Sequence, residues 1–471
     1  MPPGLESSVR DNRTILAIIA FAVFMASLDS TIVNISLPTI AEYFDIDIGV
    51  VSWVIMAYLL ILAGCLLLFG KLGDMKGFRR VFVAGFVVFT LGSLLCGLSM
   101  SIEHLIAFRV FQGIGAAALE ALAPAMIIVY LPSEKRGRAL GVLATIVSLG
   151  IAAGPILGGI ITKYLSWHWI FFINVPVGIV AVFFATRFLP VDKPSQKTEH
   201  FDAIGAVLFL LALVTLLFPL NKGIDYGWTS PIILGSFAAS AVFWILGIFH
   251  ERRCTSPLID MRLFTIRNFV LGSMAGGIFM LVFNGGEFLL PFFFERVQGI
   301  STEIAGLYLA IPAIALMVIG PISGALSDRI GSRILTTSAA VLAAVALYLL
   351  SLFSQTSSLA FIVGALALLG VAMGLFFPPN MSAILGSCEK EGEGGVSSVM
   401  MTIRNTGSVV GVAIFGTVAV QVILSKAARL HTINYTPEIL TAGFHAAFLF
   451  GIIFCIVAMV ISAIIKDVKC A

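Results

Sequence analysis

Five ionisable side chains fall inside long apolar stretches of this 471-residue sequence: Asp29, Arg109, Glu120, Glu287 and Arg404. A charge at the centre of a bilayer costs roughly 2.5–3.5 kcal/mol on insertion scales, so such residues are kept for pairing or for moving ions. Desolvation raises the proton affinity of a buried carboxyl and an approaching cation lowers it, so one carboxylate can trade a proton for a cationic ligand. Asp29 is the foremost candidate for that exchange; the alternative is a fixed ion pair with Arg109 or Arg404. Glu120 follows Arg109 by eleven residues, about three helical turns, which returns it near the same face. Glu120 and Glu287 are candidates for holding the cationic head of a substrate and for proton coupling, the alternative for each being a carboxyl at the outer headgroups. Arg404, with Asn405 and Gly407, is expected mid-span, as the counter-charge a transported cation would replace. Glu295 is expected in an outer loop.

The elements that must position these groups are membrane helices. The chain is 59% hydrophobic and 11% charged, against about 25% charged residues in soluble domains. Stretches long and apolar enough to span a bilayer centre near residues 25, 60, 90, 116, 150, 178, 212, 240, 280, 314, 344, 370, 410 and 454. The longest polar connections are near Arg187–Asp202, His250–Arg267 and Lys426–Thr441, leaving no room for an extramembrane domain. The first run, from about Thr14 to Ile40, is too long for a cleaved signal segment and reads as a retained helix. Of the 28 Lys and Arg residues, 21 fall in connections on the N-terminal side and five on the other, which predicts that both termini are cytoplasmic. The net charge of +3 gives no reason to expect nucleic acid. Six cysteines, at 65, 96, 254, 388, 455 and 470, form no CxxC pair and no metal-ligand spacing, so neither metal nor cofactor is expected.

Two loops resemble each other at an offset of 254: GKLGDMKGFRR at 70–80 and GALSDRIGSR at 324–333. A second pair, EKRGR at 134–138 and the Glu/Gly-rich stretch Glu389 to Gly395, fits the same register. The second span therefore maps onto the tenth. If the repeats are six-helix bundles, the organisation is a first bundle over 1–189, two inserted linker helices (about 203–222 and 231–250) within 190–266, and a second bundle over 267–471. Parallel repeats of this kind imply two bundles rocking about a midplane site.

These residues carry a family resemblance. The 70–80 loop, RVFQG at 109–113 and GIAAGPILGG at 150–159 resemble the major facilitator superfamily. LDSTIVNISLP at 28–38 and FDAIG at 201–205 are similar to its 14-helix drug:proton antiporter family, and the likeness runs the length of the chain. The resemblance implies an all-α polytopic membrane protein of 14 helices, two six-helix bundles plus two inserted helices. It implies a cytoplasmic latch that holds the outward-facing state, drawn from Gly70, Asp74, Gly77, Arg79, Arg80, Asp328, Arg329 and Arg333; Met75 departs from the basic residue usual there. It implies that Gly150, Gly154, Pro155, Gly158 and Gly159 form the element that goes with antiporters rather than symporters. Physically, glycines at four-residue spacing allow close helix approach, and the proline loosens the helix. It implies that Asn34, Trp53, Tyr58 and Gln112 join Glu120, Glu287 and Arg404 along the substrate path.

Other classes fit poorly. Residues 64–72 miss the P-loop spacing, no GxSxG occurs, and His250-Glu251 begins a zinc-protease pattern that ends in Cys254 instead of His. No enzyme is expected. The reading is a proton-coupled antiporter in the cell membrane, a monomer, exporting amphipathic and cationic small molecules by alternating access. The alternatives are a dedicated exporter of one metabolite, of metal–tetracycline or of a monovalent cation by proton exchange, and then a proton-coupled symporter.

Overall fold

The computed structural model describes residues 3–191, 202–254, 257, 259–388, 393–432 and 435–466. Of the Glu389–Gly395 half of the second repeat pair, residues 389–392 lie outside the described residues, as do Lys193, Lys197, Lys469 and Cys470; the side chains of Arg10, Glu134 and Glu393 are likewise not described. Among the described residues the chain is helical throughout, with fourteen helices long and apolar enough to span a bilayer. They are α1 (Asn12–Tyr43), α2 (Ile48–Lys76), α3 (Phe78–Gly97), α4 (Ile102–Tyr130), α5 (Lys135–Tyr164), α6 (Trp169–Phe188) and α7 (Ala203–Tyr226). There follow α8 (Pro231–Arg253), α9 (Arg267–Val297), α10 (Thr302–Ile330), α11 (Ser332–Leu350), α12 (Leu359–Leu385), α13 (Val396–Arg429) and α14 (Pro437–Ile464). Side-chain caps mark several starts: Asp47 accepts from the Val50 N–H, Ser230 from Ile233 and Ser358 from Phe361. α6 is interrupted at Ile173, and α9 ends in a π-helical turn, Phe293–Val297.

An even number of spans puts both termini on one side, here called the terminal face. Helices α1–α6 form one bundle and α9–α14 another. The repeat is visible in the backbone. Gly77 between α2 and α3 has φ +93°, and Gly331 between α10 and α11, 254 residues later, has φ +88°. Each ends a helix in a conformation that costs a Cβ-bearing residue strain, and each donates its N–H four residues back, to Gly73 and Ser327.

A second correspondence was not read from the sequence. Gly150, Gly154 and Gly158 of α5 lie directly on α1, where a Cβ on Gly154 would stand 2.9 Å from the Thr31 Cβ. Gly407 and Gly411 of α13 lie on α9 in the same way, against the carbonyls of Gly277 and Leu281. In each bundle these two helices cross with backbone against backbone, a packing that only glycine permits.

The bundles meet on the half away from the terminal face. One apolar cluster there joins Ile32, Val51 and Ile55 of the first bundle to Phe279, Val282 and Val412 of the second. Toward the terminal face the packing divides: Phe82, Phe86 and Met126 cluster within the first bundle, Phe269, Ile384 and Met400 within the second. α5 shows the divergence along one face. Gly159 packs on Thr302 of α10, whereas Gly141, five turns away on that face, has nothing within 4 Å. The interface between bundles therefore opens on the terminal face.

α7 and α8 pair with each other, and α7 seals the α2–α13 junction. Asn221 of α7 accepts from the Trp53 indole at 2.7 Å and donates to Ser52 at 3.0 Å, while the Leu220 carbonyl accepts from Thr417 of α13 at 2.5 Å. One inserted helix is thereby bonded to both bundles.

The seams give a direct comparison. Gly154→Val meets α1 and should lower the thermal unfolding midpoint in detergent, the overpacking costing about 1–3 kcal/mol. Gly141→Val enters open space and should leave the midpoint unchanged; equal effects would contradict the packing described.

Candidate functional site

Five helices of the first bundle converge on Asp29, which is fully buried. One of its oxygens accepts from Arg109 Nη1 at 2.7 Å; the other accepts from Gln112 Nε2 at 2.8 Å and Asn174 Nδ2 at 2.9 Å. Arg109, also fully buried, donates further to Gln112 Oε1 at 2.6 Å and, through Nε, to the Val54 carbonyl at 3.1 Å. Its guanidinium lies 4.0 Å from the centre of the Tyr58 ring, a cation–π contact strengthened by desolvation. Gln112 completes the network on Ser93 Oγ at 2.8 Å. The Arg109 Nη2 and the Tyr58 hydroxyl have no hydrogen-bond partner among the described residues. The ion pair weighed as the alternative role of Asp29 is formed, with Arg109 and not with Arg404.

Three contributors carried no expectation: Asn174, Ser93 and the Val54 carbonyl. Asn174 was legible in principle, as a lone amide in an otherwise apolar run at the break in α6. Ser93 is one hydroxyl among many, and a carbonyl leaves no trace in the sequence.

Two expectations change. Tyr58 and Gln112 do not face a path between the bundles; both belong to the ion-pair network inside the first bundle. Trp53 packs against the apolar cluster that joins the bundles and donates its indole N–H to Asn221 of the inserted α7.

The groups that do reach the interface come from both bundles. Asn34 of α1 donates to the Glu287 carbonyl of α9 at 3.1 Å. Glu287 is buried at 8% exposure, within the contact between bundles rather than among headgroups. Glu120 is half-buried mid-helix on α4, again not at a membrane surface, and has no hydrogen bond or ion pair among the described residues. It interacts electrostatically with Arg404 of α13, in the other bundle, without touching it. Arg404 lies 4.3 Å from the Phe377 ring centre, with its Nε unpartnered among the described residues. Tyr58 lies within electrostatic reach of both Asp29 and Glu120. Glu295 sits not in a loop but in the final π-helical turn of α9, half-buried.

Residues 70–80 and 324–333 lie at the terminal face, and the loops expected there reduce to Gly77 and Gly331, because the flanking residues are the ends of α2, α3, α10 and α11. Gly70 has open space around it, whereas Gly73 is packed on Leu122 and Phe78. The Arg79 guanidinium donates to the Thr186 carbonyl of α6, a bond within its own bundle. Asp74, Arg80, Asp328, Arg329 and Arg333 are exposed. In the 150–159 segment, Gly150, Gly154 and Gly158 address α1; Gly159 and the Pro155 carbonyl address Thr302 and Gly306 of α10 across the interface.

The ion pair makes a stability statement. Arg109→Met strands a buried carboxylate and should cost about 3–5 kcal/mol. Adding Asp29→Leu removes the stranded charge, so the double variant should unfold at a higher denaturant concentration than Arg109→Met alone. A double variant no more stable than the single would contradict a direct pairing.

Residues 19–412 match the profile of the Major Facilitator Superfamily. The riboflavin transporter RibZ of Clostridioides difficile (strain 630) is 35% identical over 85% of this chain and 87% of its own. Multidrug resistance protein 3 of Bacillus subtilis (strain 168) is 31% identical over 86% of this chain and 79% of its own. Among solved structures, a bacterial homolog of the human lysosomal transporter Spinster, inward-facing and unoccupied, aligns with a TM-score of 0.70 at 15% identity over 96% of both chains. Fourteen spans, a repeat visible in the backbone and charges buried between helices agree with these likenesses: the chain belongs to the major facilitator superfamily.

Proposed function

We propose that this protein is a proton-coupled antiporter that exports amphipathic, cationic small molecules. Its halves are residues 1–189 and 267–471, joined by the inserted segment 190–266. The terminal face is cytoplasmic, because 21 of the 28 Lys and Arg residues lie on that side. The opening between the bundles then faces the cytoplasm, where an exported compound enters.

The observation that carries the reading is the pairing of two acidic environments in one bundle. Asp29 is held by Arg109, and Glu120 faces Arg404 of the other bundle with no bond between them. A cationic substrate entering between the bundles takes the place of Arg404 as the counter-charge of Glu120. Its field reaches Asp29 through the low-dielectric interior. A protonated Asp29 does not hold Arg109; as the cation arrives the carboxyl loses its proton and the Asp29–Arg109 pair closes. Glu287 lies on the other side of the Asn34 contact and serves as the acidic group of the second bundle. The 70–80 and 324–333 loops close against the opposite bundle when the terminal face shuts.

Proteoliposomes with an internal pH dye test this reading. Adding a lipophilic cation to vesicles with an acidified lumen should drive proton release; proton movement in the other direction would contradict antiport. Asp29→Asn should abolish the coupled flux, and Glu120→Gln should raise the KM for a cation about tenfold or more while sparing neutral substrates. Unchanged coupling in Asp29→Asn would remove Asp29 from the proton path.

A second reading is transport of one planar metabolite, favoured by the 35% identity with the riboflavin transporter. Saturable riboflavin flux with no response to lipophilic cations would select it.

A further inference from the structure

The α7–α8 hairpin holds a group of residues that the transport reading leaves unused. Asp202 caps α7, its Oδ1 accepting from the Gly205 N–H at 2.8 Å. His250 and Cys254 stand one turn apart at the end of α8, on one helix face. By their spacing alone they amount to a broken zinc-protease pattern. The hairpin supplies what the spacing lacks. His250 Nε2 lies 2.7 Å from Asp202 Oδ1, and a carboxylate oxygen, an imidazole nitrogen and the Cys254 sulfur all lie within 4.8 Å of one another. Asp202 is buried at 5% exposure, yet its Oδ2 has no hydrogen-bond partner among the described residues. The cap and the contact with His250 account for Oδ1 only.

We propose that Asp202, His250 and Cys254 form a binding site for one divalent transition cation of borderline softness, with Zn²⁺ as the reference ion. The mixed oxygen, nitrogen and sulfur donors suit such an ion. Ordinary zinc–ligand bonds of about 2.0–2.3 Å place neighbouring ligand atoms roughly 3.5 Å apart, so the Cys254 sulfur needs to close by about 1 Å and the His250–Asp202 contact, at 2.7 Å, to part by about as much. Charge balances too: an ionised Asp202 and a Cys254 thiolate neutralise a 2+ ion. The thiol proton goes to solvent, which the half-buried His250 and Cys254 still reach. Water or Glu251 completes the shell. Glu251 is buried beside the cluster and accepts from the Ile259 N–H at 3.3 Å. A metal here fastens the terminal-face ends of α7 and α8 to each other and, through Glu251, to the segment leading to α9.

Cobalt titration of the full-length, metal-stripped protein in detergent provides the test. One equivalent of Co²⁺ should give the visible bands of a tetrahedral ion and a near-ultraviolet thiolate-to-metal charge-transfer band, both displaced by Zn²⁺. Cys254→Ser should lose the charge-transfer band, and His250→Gln should keep it while weakening affinity tenfold or more. Zn²⁺ should raise the thermal midpoint of the unsubstituted protein and not that of a variant carrying both His250→Gln and Cys254→Ser. Absence of saturable binding near one equivalent overturns the proposal, as does a charge-transfer band that survives Cys254→Ser, which assigns the metal to another thiol.

Discussion

The Asp29–Arg109 ion pair is the interaction around which the first bundle is organised. Two opposite charges in an apolar interior are tolerated only when geometry and surrounding hydrogen bonds offset their desolvation. Here that requirement draws in one group from nearly every neighbour: the Val54 carbonyl and Tyr58 ring from α2, Ser93 from α3, Gln112 from α4 and Asn174 from α6. Moving any one of these helices strands a polar group in a medium without water. The pair therefore fixes the bundle as a unit and, in the proposed cycle, is also the element whose making and breaking reports the proton.

The remaining architecture follows from giving two such units a shared edge. Within each bundle a glycine crossing, α5 on α1 and α13 on α9, brings backbones into contact and makes the unit stiff. Between bundles the contacts are fewer and asymmetric: a continuous apolar cluster away from the terminal face, separate clusters near it. Stiff halves joined at one end suit rigid-body rocking better than local rearrangement. Residues from both halves line the boundary, and Glu120 and Arg404 interact electrostatically across it. The inserted α7 adds a constraint that a twelve-helix arrangement lacks, because it is hydrogen-bonded to α2 and α13 at once.

Much of this was legible in the sequence, for definite physical reasons. Apolar runs of membrane-spanning length show the helices directly, and the 254-residue repeat in the Gly77 and Gly331 loops shows the two halves. The expense of a charge in lipid singled out Asp29, Arg109, Glu120, Glu287 and Arg404. What the sequence could not show is which way a side chain turns on a helix buried from several sides. Trp53 and Tyr58 are five residues apart on α2, and they serve different neighbours, Asn221 of α7 and Arg109 of α4. The contribution of Asn174, and the meeting of Asp202 with His250 and Cys254, depend on chain crossings 145 and 48 residues apart, which no local pattern encodes.

The central claim is that a cation entering between the bundles changes the protonation of Asp29. The most direct measurement is proton release by the purified protein in weakly buffered detergent on addition of tetraphenylphosphonium, with binding followed in parallel. The account predicts release by the unsubstituted protein, and binding without release by Asp29→Asn. Release of the same size from Asp29→Asn would contradict it.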